Sequence, residues 1–374
     1  GVKFEDYGIY TQVEQLNKTA LKSHGLDSNG QLYKINSFEF YRYEDIIKKE
    51  DDAGYDKTAF EKMLEIKGDS DHTKLIDMLT DLNDYSIGIE DVLKEHFDEE
   101  NIVYWMAFQI LMGNVDTQNR NVYLYSPLNS DIWYFIAWDN DGCLMRPEYE
   151  LRNFSDQNSW EKGISNYWGN ILFQRCLKSR SFREKLNDAI LDLREYLNKD
   201  MLTSKIESYK NVLKPYLYLM PDAEYEPLTS EQYDQIAASL PDEIEKNYQL
   251  YLESLETPMP FYIGVPTIDG DKLKFNWDVS YDLDAEDITY SVEVARDYLF
   301  QDVIYQNTTL TVPEAEMDLP NAGQYFVRVR ATNTSGKTQD AFDYYVTDEG
   351  KHYGMKCFYI TEDNTVEEDI YEEG

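Results

Sequence analysis

The sequence has 374 residues, of which 42% are hydrophobic and 14% aromatic, and this composition excludes a disordered chain because it can bury one large core or two. Its 35 Lys and Arg against 72 Asp and Glu give a formal net charge of −37, which repels phosphate backbones and anionic lipid headgroups. Nucleic acid is therefore not expected as a partner, and no apolar run reaches the roughly 18 residues of a membrane span.

The cysteines Cys143, Cys176 and Cys357 are widely spaced and provide neither a C-x-x-C metal motif nor an even disulfide framework. The redox compartment stays open on this evidence. A strongly acidic, cysteine-poor chain suits a bacterial secreted or cell-surface protein. The first residues contain no export signal, so we expect that such a signal is not part of this chain.

The first half of the chain is predicted to begin with strands and to continue with helices. Residues 8–15 (GIYTQVEQ) alternate as in a strand, and Asn17 then has the character of a helix N-cap. An Asn-Gly turn with alternating apolar residues predicts further strand within 29–43. Apolar residues at a spacing of three and four predict helices over 57–113, the last of them ending at its glycine.

The second half divides by periodicity. Residues 170–256 have a helical pattern, whereas several prolines follow and the period becomes two, which places a domain boundary at about residue 257. Short strands separated by turn residues then predict a β-sandwich. Alternation within it points Tyr325, Val327, Val329 and Ala331 inward and Phe326, Arg328 and Arg330 outward.

Two acidic clusters stand at the two ends of a predicted hairpin. Asp116, Asn119 and Asn121 precede its first strand, and Asp139 and Asp141 follow its second. Because a hairpin returns its far end to its near end, Asp139 is expected beside Asn121. Magnesium prefers such oxygen ligands, and phosphoryl transfer needs an acidic residue near the attacking hydroxyl. In protein kinases, D-x-x-x-x-N, a hairpin and a second Asp follow one another in the same order.

Simpler interpretations of the clusters remain. Asp and Asn at helix and hairpin ends are most often caps and turn formers. The spacing of Asp139, Asp141 and Glu150 also fits part of a calcium loop, but Leu144 stands where the loop requires Gly, so only generic calcium binding stays open. Paired carboxylates also hydrolyse glycosides, although no feature of the sequence selects that chemistry.

The motifs GNVDTQNRNVYLY and WYFIAWDNDG, with the upstream GIYTQVEQLNK and LKSHGLDSNGQLYK, resemble the spore-coat-protein-H-like (CotH-like) atypical protein kinases. The resemblance spans roughly residues 1–250. It implies that Asp116 is the catalytic-loop Asp that orients the acceptor hydroxyl. It also implies that Asn121 and Asp139 bind magnesium and that Asp141 contributes to the metal site. Asn119 is the alternative to Asn121 as the metal ligand.

The same resemblance gives two cofactor-binding candidates. Glu14 falls where the family's strand leads into the helix that links the two lobes, near the nucleotide, and Lys34 is a candidate phosphate contact. A solvated strand-end Glu and a surface Lys are the alternatives. The chain begins at the linking strand and has no G-x-G-x-x-G, so the expected kinase domain has a truncated N-lobe, and the activity of this fragment is an open question.

A second resemblance covers residues 260–347, which are similar to a fibronectin type III domain. Trp277 lies where an early strand carries its buried Trp, and the pattern Y-x-V-x-V-x-A-x-N-x-x-G begins at Tyr325. The expected fold is α+β: a kinase-like domain at 1–256 with a largely helical C-lobe, an all-β immunoglobulin-like or fibronectin type III sandwich at 258–347, and an acidic tail or linker at 348–374.

These resemblances imply an ATP- and Mg²⁺-dependent protein kinase that phosphorylates Ser or Thr of secreted or surface proteins. Carbohydrate or the cell wall is a further expected neighbour. The alternative is a non-catalytic surface or cellulosome-type scaffold that contains a kinase-like domain. A scaffold has no need of ATP affinity, so a titration with metal and nucleotide separates the two.

Overall fold

The computed structural model describes residues 5–152, 158–348 and 350–368, and none of the helices there is both long and apolar enough to cross a bilayer. The fold is α+β. The chain separates into two compact units, Gly1–Phe154 with Asn170–Gln249, and Ser155–Gly169 with Leu250–Gly374. The α-helices of the described residues are α1 (Lys18–Ser23), α2 (Lys57–Met63), α3 (Thr73–Asn83), α4 (Ile89–His96), α5 (Glu99–Met112), α6 (Arg146–Leu151), α7 (Ile171–Lys178), α8 (Arg180–Tyr196), α9 (Lys199–Leu217), α10 (Ser230–Ser239) and α11 (Glu243–Leu255).

The first unit contains one antiparallel sheet of four strands. Successive side chains along each strand point to opposite faces of this sheet. On one face, Tyr33, Leu124 and Phe135 are buried next to one another on three neighbouring strands. On the other face, Leu32 and Tyr125 belong to an apolar cluster with Leu21 of α1. The order β2-β1-β3-β4 is built from β1 (Gln31–Ile35), β2 (Leu64–Ile66), β3 (Val122–Ser126) and β4 (Tyr134–Ala137).

The prediction of a strand at residues 8–15 is wrong, because this segment has no regular secondary structure. A strand needs a neighbour for its backbone groups, and the backbone N–H of Ile9 instead donates to the side chain of Asp222. The predicted N-cap is confirmed, since Asn17 Oδ1 accepts from Thr19 N and Ala20 N. Within the predicted helical region, Leu64–Ile66 form β2 instead and pair with β1.

The second unit is all-β in its carboxyl-terminal part. A six-stranded sheet has the order β15-β14-β10-β7-β8 with β11 beside β10, and a three-stranded sheet has the order β5-β6-β9. One apolar core takes Phe275 from the smaller sheet and Val292, Val327 and Phe358 from the larger. The strands are β5 (Thr267–Asp269), β6 (Lys272–Asn276), β7 (Ile288–Ala295), β8 (Val303–Leu310), β9 (Glu314–Asp318), β10 (Gly323–Asn333), β11 (Thr338–Asp340), β12 (Tyr344–Thr347), β13 (Gly350–Tyr353), β14 (Met355–Ile360) and β15 (Val366–Glu368).

The predicted alternation along β10 is correct for Tyr325, Val327, Val329 and Ala331, which are buried in this core. Phe326 was expected to face outward but is also buried, because a second apolar cluster, which includes Phe300 and Met355, covers the outer face of the sheet. Where both faces of a sheet are covered, side chains on both faces of its strands are buried.

The prediction of an acidic tail or linker at 348–374 is wrong for the residues that the structure describes there. β14 pairs with β10 in register, and β15 pairs with β14. The segment is acidic overall, but it contains the short apolar run of β14, and Phe358 and Ile360 of this run are buried in the core. The predicted boundary near residue 257 and the fibronectin type III resemblance stay predictions; Thr257 and Met259 are buried.

Candidate functional site

The β3–β4 hairpin brings the two acidic clusters to one end of the sheet. Val122 pairs with Ala137 across the hairpin, so Asn121 lies one residue before this pair and Asp139 two residues after it. Both Asn121 and Asp139 have left-handed backbones, with φ of 57° and 55°, where the chain enters and leaves the hairpin. The predicted return of Asp139 to the Asn121 end of the hairpin is confirmed.

Asn121 is hydrogen-bonded to Asp116. Its Nδ2 donates to Oδ2 of Asp116 at 2.7 Å and to the backbone carbonyl of Asp116 at 3.1 Å. A carboxylate only accepts, so the amide nitrogen must face Asp116. The Oδ1 atom of Asn121, which is the atom suited to bind a cation, is not used by this contact.

The electrostatic environment of Asp116 connects it to both clusters. Partial burial raises the pKa of the half-exposed Asp116 carboxyl above its ordinary value, and the carboxylates of Asp139 and Asp141 raise this pKa further. The guanidinium of Arg120, whose Nε lies 3.7 Å from Oδ1 of Asp116, and the hydrogen bond from Asn121 act in the opposite direction. Asp139 and Asp141 therefore lie near enough to Asp116 to influence its charge state.

The turn that contains Asp141 is hydrogen-bonded to the carboxyl-terminal end of α5 and to the loop that follows it. Oδ1 of Asn140 accepts from Nε2 of Gln109 at 3.0 Å and from Nδ2 of Asn114 at 3.4 Å. Gln109 is fully buried and Asn114 is 2% exposed, so these bonds are shielded from water. The sequence predicts no role for Gln109, although an amide on the apolar face of a helix is the signal that could have found it.

Asn119 lies in the same loop but its amide has a different partner. The side-chain Nδ2 of Asn119 donates to Oε1 of Glu39 at 2.7 Å. The backbone carbonyl of Asn119 accepts from the backbone N–H of Phe38 at 2.8 Å. The other carboxylate oxygen of Glu39 accepts from the hydroxyl of Tyr43 at 2.6 Å. Glu39 thus fixes the loop between Asp116 and Asn121, and no motif in the sequence identified it.

Glu14 and Lys34 are not joined to this site by any hydrogen bond or ion pair within the described ranges. Glu14 is exposed in the irregular opening segment, and its Oε2 lies 2.7 Å from Nε2 of His24. Lys34 lies in the central strand β1, with Glu65 and Tyr123 as its partners on the neighbouring strands. Lys34 therefore shares with Tyr123 the sheet face that α1 covers.

The side chains at the hairpin end offer oxygen atoms of the kind that a hard cation takes. Among residues 5–152, 158–348 and 350–368, no group of three or more His, Cys, Asp or Glu side chains is placed to hold a metal ion. Magnesium, however, often takes one or two carboxylates and completes its shell with water and substrate phosphates. The amide oxygen of Asn121 and the carboxylate of Asp139 are ligand types of this kind, and both residues stand at one end of the hairpin.

Asp116, Asn121, the β3–β4 hairpin and Asp139 follow one another within an α+β fold, and the family match makes this a kinase-related domain. The chain belongs to the CotH family: the family model described as "CotH kinase protein" matches residues 1–251. The search of curated proteins finds no match. A solved structure, the surface layer protein SbsC, domains 1-6, is similar at 11% identity over 88% of this chain and 41% of that chain, with a TM-score of 0.15, which supports no argument. The chain spans less than half the length of that structure.

Proposed function

We propose that the protein is a magnesium- and ATP-dependent protein kinase that transfers the γ-phosphoryl group to Ser or Thr hydroxyls of secreted or cell-surface proteins. The observation that carries this proposal is the hydrogen bond between Asn121 and Asp116 at the end of the hairpin to which Asp139 also returns. Membership of the CotH family supports ATP and metal use at the level of the family.

In this mechanism Asp116 orients the acceptor hydroxyl. Its carboxylate lies at the surface, with 56% of the side chain exposed, so an acceptor can reach it. Its raised pKa makes it a better proton acceptor than an ordinary Asp, and the nearby Arg120 guanidinium opposes the rise and favours the ionised form. A positioned acidic residue near the attacking hydroxyl is what phosphoryl transfer requires of the protein, since most of its catalysis is positioning and charge stabilisation.

Asn121 and Asp139 hold the metal in this proposal. When bound, Mg²⁺ neutralises charge on the phosphates that it contacts. Nδ2 of Asn121 donates to Asp116 and thereby fixes the direction of Oδ1, so one amide couples the acceptor-orienting residue to the metal ligands. Asp141 adds negative charge to this region. Glu14 and Lys34 remain proposed nucleotide contacts from the resemblance alone.

The test compares three single variants of the 374-residue chain. Asp116→Asn is expected to abolish transfer of labelled phosphate from ATP to Ser- and Thr-containing peptides and to leave Mg²⁺-dependent ATP binding within about twofold of wild type. Asp139→Asn is expected to weaken that binding by at least about tenfold. Asp131→Asn, at the far end of the hairpin, is the matched control and should change neither.

The competing function is a non-catalytic surface scaffold. It predicts that wild-type chain shows no Mg²⁺-dependent ATP affinity in calorimetry and that the three variants behave alike. That result would reject the kinase proposal for this chain and leave the clusters as caps and turns.

A further inference from the structure

Lys356 of β14 points toward the core of the sandwich. It lies opposite Val327 of β10, and both Val327 and Phe358, two residues further along β14, are buried in that core. Residues directly opposite each other on antiparallel strands share a face of the sheet, and so do residues two apart on one strand. The side chain of Lys356 is only 20% exposed. A lysine ammonium rarely occupies such a position unless a partner offsets its lost hydration.

Two carboxylates contact this ammonium. Nζ of Lys356 lies 3.1 Å from Oδ1 of Asp343 and 3.0 Å from Oε1 of Glu368. Glu368 of β15 pairs with Phe358 and therefore shares its inward face. The side chain of Asp343 is 10% exposed, and its other oxygen, Oδ2, accepts from the backbone N–H of Ile263 at 2.7 Å. One amine and two carboxylates thus meet on the inner face of β14.

An ion pair is the simplest interpretation of these contacts, but it is a costly arrangement here. Burial raises the pKa of the Asp343 carboxyl. Burial acts to lower the pKa of the Lys356 amine, yet the carboxylates of Asp343 and Glu368 outweigh burial and raise this pKa. Two desolvated charges stabilise a fold little or not at all. An amide between the same two side chains has no charge to desolvate.

We propose that Lys356 and Asp343 form an intramolecular isopeptide bond, an amide between Nζ and Cγ, with Glu368 as general acid and base. Cγ is one C–O bond away from Oδ1, so it lies within about 4.4 Å of Nζ. Groups held this close react as if at very high concentration, since no encounter step is needed. The flexible lysine side chain supplies the remaining approach by rotation about its own bonds.

The reaction balances without a further reagent. Lys356 begins as an ammonium and Asp343 as a carboxylate, and one proton passes from Nζ to Oδ1 through their contact. The neutral amine attacks Cγ, and the backbone N–H of Ile263 stabilises the negative charge that develops on Oδ2. Glu368 takes a second proton from Nζ and delivers it to Oδ1, which leaves as water. An ammonium and a carboxylate become an amide and one water, and Glu368 is regenerated.

The bond ties the segment that contains β12 and β13 to a core strand. Asp343 stands directly before β12, and Lys356 lies in β14, so the bond closes a short loop around the two strands between them. Such a covalent link restricts the unfolded chain as a disulfide does. The three cysteines of the chain are free, so no disulfide supplies this restriction. The proposal does not depend on kinase activity.

The first test is the intact mass of the denatured 374-residue chain, which reports the bond whether or not a variant folds. Wild type should be lighter than its sequence mass by one water. Lys356→Arg keeps the positive charge but removes the amine, so it should have its full sequence mass, and circular dichroism should show that it is folded. Lys272→Arg is the matched control, because Lys272 forms an exposed ion pair with Asp318 at 2.6 Å in the same unit. This control should lose water as wild type does.

The second test locates the bond. Trypsin should release residues 338–351, which contain Asp343, joined to residues 352–374, and it should not cleave after Lys356, whose amine is blocked. Glu368→Gln should slow the loss of water by at least about tenfold, and the linked fraction of freshly purified chain measures this. Wild type with its full sequence mass, a loss of water that persists in Lys356→Arg, or a loss that maps to other residues overturns the proposal. Equal linkage in Glu368→Gln and wild type overturns the role of Glu368.

Discussion

Nδ2 of Asn121 lies 2.7 Å from Oδ2 of Asp116 and 3.1 Å from its backbone carbonyl oxygen. One side chain thus closes the loop that leads from the end of α5 into β3. Because the amide bonds to both the carboxylate and the main chain, it holds Asp116 by two atoms and not by a single flexible contact. The charge state of Asp116 should therefore respond to its fixed neighbours.

The first prediction concerns the pKa of Asp116 in metal-free protein. Asp139→Asn removes a carboxylate that raises this pKa, so the pKa should fall, whereas Arg120→Gln removes the cation that lowers it, so the pKa should rise. Carboxyl ¹³C shifts during a pH titration measure both changes. If Asp116 accepts the hydroxyl proton, phosphate transfer should be lost as pH falls through its pKa, and Arg120→Gln should move this loss to higher pH. Equal titration curves in all three proteins would contradict the arrangement.

The second prediction concerns Glu39, which holds Asn119 and Tyr43. Glu39→Ala should lower the free energy of unfolding by roughly 1–3 kcal/mol, because both hydrogen bonds to its carboxylate are charge-assisted. Chemical denaturation followed by tyrosine and tryptophan fluorescence measures this change. The control is Glu44→Ala, at an exposed position nearby, which should change stability by less than about 0.5 kcal/mol. Equal effects of the two substitutions would show that Glu39 does not anchor the loop.

The third prediction separates strain from steric conflict at Gly113, the residue that ends α5. Its φ is 62°, and a Cβ there would lie 2.7 Å from Nδ2 of Asn247. Gly25 has a φ of 74° and no atom within 4 Å of such a Cβ. Gly25→Ala should thus lower the free energy of unfolding by about 1 kcal/mol, because of the left-handed backbone alone. Gly113→Ala should lower it by roughly 2–4 kcal/mol, because the new Cβ also meets Asn247. The midpoints of chemical denaturation measure the stability of both variants. Similar losses of stability would contradict the close approach of Asn247 to Gly113.

The fourth prediction concerns β14, which lies where the acidic composition predicts a tail. Phe358 is fully buried in the sandwich core and lies opposite Tyr325 of β10. Phe358→Ala should destabilise the sandwich by about 3–5 kcal/mol, and hydrogen exchange of β10 amides should accelerate accordingly. Val312→Ala, at a position that is 48% exposed, should leave this exchange nearly unchanged. Full protection of β10 in Phe358→Ala would argue that β14 is dispensable.

The hairpin and its two clusters could be predicted because turn residues, alternation and the DNDG segment are all local in sequence. Glu39 could not be predicted, since 80 positions separate it from Asn119 and Glu39 itself belongs to no recognisable motif. The opening segment has the alternation of a strand, but alternation does not reveal whether a partner strand exists. The acidic composition around β14 predicts a solvated tail, but burial follows the short apolar run MKCFYI.

The most direct measurement is paramagnetic broadening by Mn²⁺, which takes oxygen ligands as Mg²⁺ does. The side-chain amide signal of Asn121 should broaden at low Mn²⁺, while that of Asn129, in the turn at the far end of the hairpin, should not. Asp139→Asn should abolish the broadening, and Asp131→Asn should preserve it. Broadening of Asn121 that persists in Asp139→Asn, or that is missing in wild type at millimolar Mn²⁺, would contradict a metal site formed by Asn121 and Asp139.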